Sequence, residues 1–212
     1  PQSTNLITYS EDIASNSFSK IGTSIQADAT TSPDGTANAD LEKEDASNGS
    51  HFIYKDLNLS SGQTYAISVF AKKNGTNRNL RFGDGGVGWS SGFNANFDLT
   101  NGTSSGGVIE DYGNGWYRCS VVGTTSATTS RLIVYITLNT STSYQGDGSS
   151  GVFLFGFQVE NQSYATSYIP TSGAAATRNQ ELCADATPVI NSEEGTLYAE
   201  ISALANDGTI RR

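Results

Sequence analysis

The side chains that could do chemistry in this sequence are flat aromatic rings and uncharged polar groups, more than acids and bases arranged for catalysis. Ten tyrosines, nine phenylalanines and two tryptophans stand among many Ser, Thr and Asn residues. Aromatic faces stack on the C–H-rich faces of sugars, and polar neighbours bond the hydroxyls. Trp89, in the glycine-rich stretch GDGGVGWSSG, is the first candidate, because its sequence neighbours supply little core to explain it. The structural alternative is that it plugs one end of the domain. Tyr54 and Arg81 are candidates for the concave face of a sheet, with Asp84 and Tyr144 at its rim. Trp116 and Tyr117, in GNGWYRC, read instead as one core residue and one turn anchor.

Catalytic constellations are scarce. His51 is the only histidine, so any Ser-His-Asp or Cys-His arrangement would have to use it. Glu110 and Asp111 are adjacent on a strand pattern, point to opposite faces and cannot flank one bond. GDGGVG (83–88) lacks the Lys-Ser/Thr and the helix of a phosphate-binding loop. No catalytic residue is assigned, and the chain reads as a non-enzyme. A net charge of −9 supplies no basic patch for phosphates, which argues against nucleic acid as a partner. No apolar run approaches the roughly eighteen residues of a membrane-spanning helix, so no membrane partner is expected.

These side chains must be positioned by strands. Twenty-three glycines with abundant Ser, Thr and Asn favour short strands and turns over helices. Strand patterns run over Asn5–Tyr9, Phe18–Ala29 and Thr36–Leu41, and EKEDASNGS (42–50) reads as a solvated charged loop. His51–Leu59 alternates Ile53, Leu57 and Leu59 against Phe52, Tyr54 and Asp56, and Gly62–Lys73 alternates in the same way. The two are expected to form a hairpin through Ser60-Ser61-Gly62. Leu80–Phe82, Phe93–Leu99, Val108–Asp111, Trp116–Val122 and Arg131–Asn139 follow, then a long polar loop (140–150). In Gly151–Glu160, Val152, Leu154, Gly156 and Gln158 alternate with Phe153, Phe155, Phe157 and Val159, the mark of a strand covered on both faces. About ten to twelve strands, spaced by about eight to twelve residues, point to a sandwich or barrel. Cys119 alternates with Arg118 and Ser120 and is expected to be a buried thiol; a bridge to Cys183 stays open.

The segment FGFQVENQSYATSYIPTSGAAATR (155–178) resembles the closing segment of a jelly-roll module common in bacteriophage tail and virion proteins, with the pattern W-G-A-Q-L-E, a spacer, A-T-S-Y-I-P-T and T-R. NLITYSEDI (5–13), SPDGTANADL (32–41), GSHFIYKDL (49–57), GQTYAISVFAKK (62–73), YGNGWYRCSV (112–121) and SYQGDGSSGVFLFG (143–156) fit the same module in the expected order. Phe155 and Phe157 depart from it, standing where the pattern has Trp and Ala. The module is similar to carbohydrate-binding modules of the family 4, 9 and 22 type.

The resemblance implies an all-β fold, a jelly-roll β-sandwich of two antiparallel sheets, over residues 1–178 with a C-terminal strap. A linker (179–193) follows, and SEEGTLYAEI in 194–212 resembles the first strand of a concanavalin-like lectin domain. The absence of methionine implies a piece of a longer polypeptide. The implied function is a non-catalytic module of a phage tail or virion protein that attaches to a bacterial surface polysaccharide or other glycan. It would be located on the virion, extracellular when acting, beside other virion proteins and often as a homotrimer. Two alternatives are a structural spacer or oligomerisation domain without a small ligand, and a targeting module of a polysaccharide-degrading enzyme. Relatives commonly hold a structural Ca²⁺ beside the N-terminal strand. The matching positions are Glu11 in YSEDI, Asp34 in SPDGT, Asp40 in ANADL and Gln158 in FGFQVE, where sugar-binding relatives have Asp. A neutral Gln weakens such a site, and its alternative role is to satisfy buried backbone groups.

Overall fold

Alternating side chains build two sheets, each with one apolar inner face. The computed structural model describes residues 2–14, 18–91 and 93–180. The described residues form β1 (Ser3–Asn5), β2 (Ser19–Ile21), β3 (Thr23–Thr30), β4 (Ala39–Glu44), β5 (Asn48–Asn58), β6 (Thr64–Asn74), β7 (Arg78–Gly83) and β8 (Trp89–Ser91). They continue with β9 (Ala95–Asp98), β10 (Thr103–Ser105), β11 (Val108–Gly113), β12 (Trp116–Thr125), β13 (Thr129–Leu138), β14 (Ser143–Gln145), β15 (Gly151–Glu160) and β16 (Ala176–Arg178). There is no helix among them. Cys183, residues 181–193 of the expected linker and the lectin-like strand at 194–212 lie outside the described residues.

Sheet I has the order β10-β9-β7-β13-β5-β14, with β2 also paired to β5. Sheet II has the order β11-β12-β6-β15-β4-β3, with β8 also paired to β12. Every pairing is antiparallel, and the fold is the expected all-β jelly-roll sandwich. Sheet I sends Ile53, Leu80, Phe82, Phe97, Leu132, Val134 and Ile136 into the core. Sheet II answers with Ile67, Val69, Cys119, Val121, Val152, Leu154, Phe157 and Val159. Cys119 is a free, fully buried thiol, and burial pushes its pKa well above the ordinary value.

Three expectations about local structure change. First, 51–59 and 62–73 are not a hairpin: β5 pairs with β13 in one sheet, while β6 pairs with β12 and β15 in the other. The donors of the connection are taken by the neighbouring β12–β13 connection, Leu59 N by Thr128 O and Gly62 N by Thr125 O, both at 2.9 Å. The chain therefore arches between the sheets. Second, EKEDASNGS is not a solvated loop, because β4 runs on to Glu44 and β5 begins at Asn48. Asp40, Glu42 and Glu44 are all buried, since opposite Leu154 and Val152 they share the inward face of sheet II. Glu44 is neutralised by Arg78, whose Nε and Nη2 donate to its carboxylate at 2.7 and 2.6 Å, with the Tyr144 hydroxyl adding a bond at 2.8 Å. Glu42 has no hydrogen-bond partner on either carboxylate oxygen among the described residues. Burial raises its pKa well above the ordinary 4.5, and the Ile53 backbone opposes this only weakly, from beyond hydrogen-bonding geometry.

Third, the alternation of β15 breaks at Gly156. Phe155 stands opposite Phe70 and Gln158 opposite Ser68, so two residues of β15 face one of β6. This is a β-bulge, and Gly156 supplies the positive φ (67°). Beyond it the faces exchange. Val152, Leu154, Phe157 and Val159 point into the core, leaving Phe153, Phe155, Gln158 and Glu160 outside. Asn5, fully buried, serves the backbone around the bulge: Nδ2 donates to Phe157 O at 3.0 Å and Ile169 O at 2.9 Å, and Oδ1 accepts from Val159 N and Ile7 N at 3.1 Å.

Candidate functional site

The outer faces of the two sheets differ in what covers them. On sheet II, Ala39, Phe70, Trp116 and Phe155 form a second buried cluster beneath Phe153 and Tyr168, and Tyr168 belongs to the strap that follows β15. The strap is fixed by polar groups of the sheet. Gln158 Oε1 accepts from Ile169 N at 2.7 Å, Arg118 Nη2 donates to Thr166 O at 2.6 Å, and Glu160 accepts from Thr166 N at 3.0 Å.

On the outer face of sheet I the strand registers place six residues in one row: Ile21, Phe52, Tyr135, Arg81, Asn96 and Ser105, on β2, β5, β13, β7, β9 and β10. Five inter-strand intervals of about 4.8 Å make this row about 24 Å long. A parallel row holds Ser19, Tyr54, Ile133 and Gly83. The Phe52 and Tyr135 rings are 4.9 Å apart, and Phe52 and Tyr54 6.1 Å. A Cβ on Gly83 would stand 3.0 Å from Tyr135 Cε2, so the absence of a side chain there lets the tyrosine ring lie across the sheet. Arg131 lies over Tyr54, its guanidinium carbon 4.6 Å from the ring centre, and donates to both carboxylate oxygens of Asp56 at 2.7 and 2.8 Å. Those bonds hold the Asp56 pKa below the ordinary carboxylate value. Arg81 donates to Asn94 Oδ1 at 3.1 Å and Asn96 Oδ1 at 3.5 Å. Beyond Asn96, a groove of about 270 Å³ is lined by Leu80 and Phe97 together with polar residues that include Asn79, Asp98 and Thr137. Partly exposed rings beside amides, hydroxyls and guanidinium groups can stack on and hydrogen-bond an amphipathic ligand.

The sequence-derived ligand candidates divide. Tyr54 and Arg81 share this face. Asp84 sits at the start of the adjoining loop, where its Oδ1 caps Gly86 N at 2.9 Å. Trp89 is not presented to ligand: it is only 9% exposed, stacked on Phe93 at 4.0 Å and 5°, with its indole N–H donated to Arg131 O at 2.8 Å. The core neighbour it seemed to lack is Phe93, four residues on, and together they plug one end of the sandwich. Tyr144 is also buried, with its ring against His51 at 4.7 Å and its hydroxyl on Glu44. Burial, first, and the Glu44 carboxylate raise its pKa. Phe52, Tyr135, Arg131 and Asn96 were not singled out from the sequence. The signal that could have found them is the outward parity of His51–Leu59 continued onto Arg131–Asn139.

The four residues matched to a calcium site do not converge. Asp40 points to the inner face of sheet II and accepts from Ile13 N, Ala14 N and Asp28 N. Burial outweighs those bonds and raises its pKa. Gln158 lies on the outer face, with both ends of its amide committed to the strap backbone. Only Glu11 and Asp34 are close, bridged by Asn38 Nδ2 at 3.4 Å to each. Burial works to raise the Asp34 pKa, but bonds from Ser32, Thr36 and Asn38 win and hold it low. Among the described residues no three acids, histidines or cysteines form a metal-holding group, and the four matched positions do not fit the ion. His51 is buried, its ring nitrogens facing Gly22 O at 2.8 Å and Tyr144 O at 3.4 Å.

No protein-family model matches the sequence, and no curated protein matches it. The fold is similar to that of a Clostridium thermocellum endo-1,4-β-D-xylanase comprising a family 22 carbohydrate-binding module and a family 10 catalytic module, in complex with xylohexaose (16% identity, TM-score 0.40). That match covers 79% of this chain and 29% of the xylanase chain, so this chain spans less than a third of that protein. It is also similar to the family 22 xylan-binding domain of a Paenibacillus barcinonensis xylanase (13% identity, TM-score 0.40), covering 77% of this chain and 94% of that domain.

Proposed function

We propose that this chain contains a non-catalytic glycan-binding module whose ligand lies across the outer face of sheet I, over Phe52, Tyr54 and Tyr135. The observation that carries the proposal is the straight row from Ile21 to Ser105: contacting aromatic rings at one end, Arg81 in the middle, amides and hydroxyls at the other. This order suits a polysaccharide, whose rings have an apolar face and a hydroxyl edge. The resemblance of 155–178 and the other blocks to a phage tail module supports a role on a virion, as attachment to a bacterial surface glycan. Multivalent display in a homotrimer would compensate weak single sites.

The test is calorimetric titration with bacterial surface polysaccharides. Tyr135→Ala is expected to weaken binding about tenfold, the upper end of what one aromatic contact contributes, with little change in thermal unfolding. Saturable heat that Tyr135→Ala leaves intact would remove the ligand from this face.

One observation favours a second reading, an assembly surface of a virion spacer. Val108, Val122 and Tyr164 are exposed and line a groove of about 560 Å³ between β11, β12 and the strap. A Val122→Asp variant that turns a trimer into a monomer in sedimentation, while glycan binding is absent, would favour it.

A further inference from the structure

We infer that the open face selects an acidic polysaccharide, with Arg81 as the receptor for a carboxylate carried on a sugar. The inference rests on the glycan-binding reading above and adds the chemical class of the ligand. Most described arginines have structural work. Arg78 is paired with Glu44 and Asp147, and Arg131 with Asp56. Arg118 is buried under the strap, on Ser68 Oγ and Thr166 O.

Arg81 is different. It stands in the middle of the aromatic and polar row, half-buried, and no carboxylate among the described residues lies within ion-pair distance of it. Its partners are two neutral amide oxygens, Asn94 Oδ1 and Asn96 Oδ1. A guanidinium carries five N–H donors, so two are used and three remain, enough for the two parallel bonds of a carboxylate. The two asparagines orient the fork and leave its charge intact. In a chain of net charge −9 this is a localised positive site set beside Tyr135.

The nearby acids are already committed. Asp56 is held by Arg131, and Asp98 accepts from Thr100 N, Asn101 N and Asn101 Nδ2. Asp98 borders the groove beyond Asn96, where its charge repels a second acid. The carboxylate is thus directed to Arg81, and the groove is left to hydroxyls.

The experiment compares each polymer with its own neutral derivative. Hyaluronan and glucuronoxylan are titrated in native form and after their carboxyl groups have been reduced to alcohols. Dextran sulfate tests for a sulfate ligand, and arabinoxylan and mixed-linkage β-glucan serve as neutral controls. At least one native acidic polymer is expected to bind about tenfold tighter than its reduced form. Arg81→Gln should abolish that difference by weakening the native form far more than the reduced form, Arg81→Lys should restore part of it, and Tyr135→Ala should weaken both forms. Equal affinity for native and reduced polymers, an equal effect of Arg81→Gln on both, or binding of neutral polymers alone would overturn the inference and leave the glycan-binding reading standing. Binding of dextran sulfate alone would overturn the carboxylate assignment. No heat from any polymer, acidic or neutral, with folded protein would overturn both.

Discussion

Both sheets carry aromatic residues on their outer faces, yet the faces have opposite fates. Phe70, Phe155 and Trp116 on sheet II are sealed beneath Tyr168 and the strap, while Phe52, Tyr54 and Tyr135 on sheet I stay half-buried and touch one another. The polar groups explain the difference. On sheet II, Gln158, Arg118 and Glu160 spend their hydrogen bonds on strap backbone, so the rings are walled in by the chain itself. On sheet I, Arg131 and Arg81 bond to side chains of the same face and recruit no covering segment. Aromatic content does not distinguish a core from a binding surface; the destination of the neighbouring polar atoms does.

The contrast can be broken most forcefully at Phe70, which touches Tyr112, Phe155 and Tyr168 and lies under the Arg118 guanidinium. Phe70→Ala is expected to cost about 3–5 kcal/mol in urea unfolding. Tyr135→Ala on the open face should cost under about 1 kcal/mol; equal losses would mean that the two faces are not different in kind. Next in size is Glu42→Gln, which replaces an ionisable inner-face carboxyl with a neutral group of the same shape and leaves both outer faces untouched. Because burial raises the folded-state pKa of Glu42 above the unfolded value near 4.5, the unfolded chain releases its proton first. Wild-type stability should therefore fall as pH rises above about 4.5, by up to about 1.4 kcal/mol per pH unit until the folded pKa is reached. Glu42→Gln should be the more stable protein at pH 7 and equal to wild type in mild acid, as read from unfolding across that range; a variant weaker at pH 7 would mean that the carboxylate is charged and satisfied. The smallest effect is expected at Asp56. Arg131 holds its folded pKa below the ordinary 3.8, so its contribution is present above that value and is lost as pH falls through the folded pKa. The pair is exposed, so Asp56→Asn should cost under about 1 kcal/mol after solvent screening, and the difference from wild type should vanish in strong acid.

Much of the fold was legible because strand periodicity is a local signal. Ile53 and Leu57 against Phe52 and Tyr54 already separate the inward from the outward face of β5. Long-range pairing was less legible: nothing in the sequence around Ser60-Ser61-Gly62 says that Leu59 and Gly62 will donate to Thr128 and Thr125 rather than close a hairpin. Gly156 sits in a run where every parity is apolar, so the bulge leaves no trace in hydrophobicity although it reverses the roles of Phe157 and Gln158. Glu42 and Glu44 looked solvated because acids ordinarily are, and only the distant Arg78 and Tyr144 explain why Glu44 is inside. Trp89 misled for the same reason, since its glycines describe the loop and not the Phe93 ring that stacks on it. The open face required residues from six strands to be laid side by side, and that order is a property of the whole chain.

The pairing of β1 with β16 also has a mechanical consequence. Ser3 lies opposite Arg178 and Asn5 opposite Ala176, so tension applied at residues 3 and 178 peels this antiparallel ribbon open one rung at a time, the direction in which hydrogen bonds resist least. The tear then reaches Asn5, whose amide grips residues 7, 157, 159 and 169 together. These bonds must yield together, so the strap behaves like a tear strip with a rivet at its base, and the rungs that open first release slack before load reaches the sandwich.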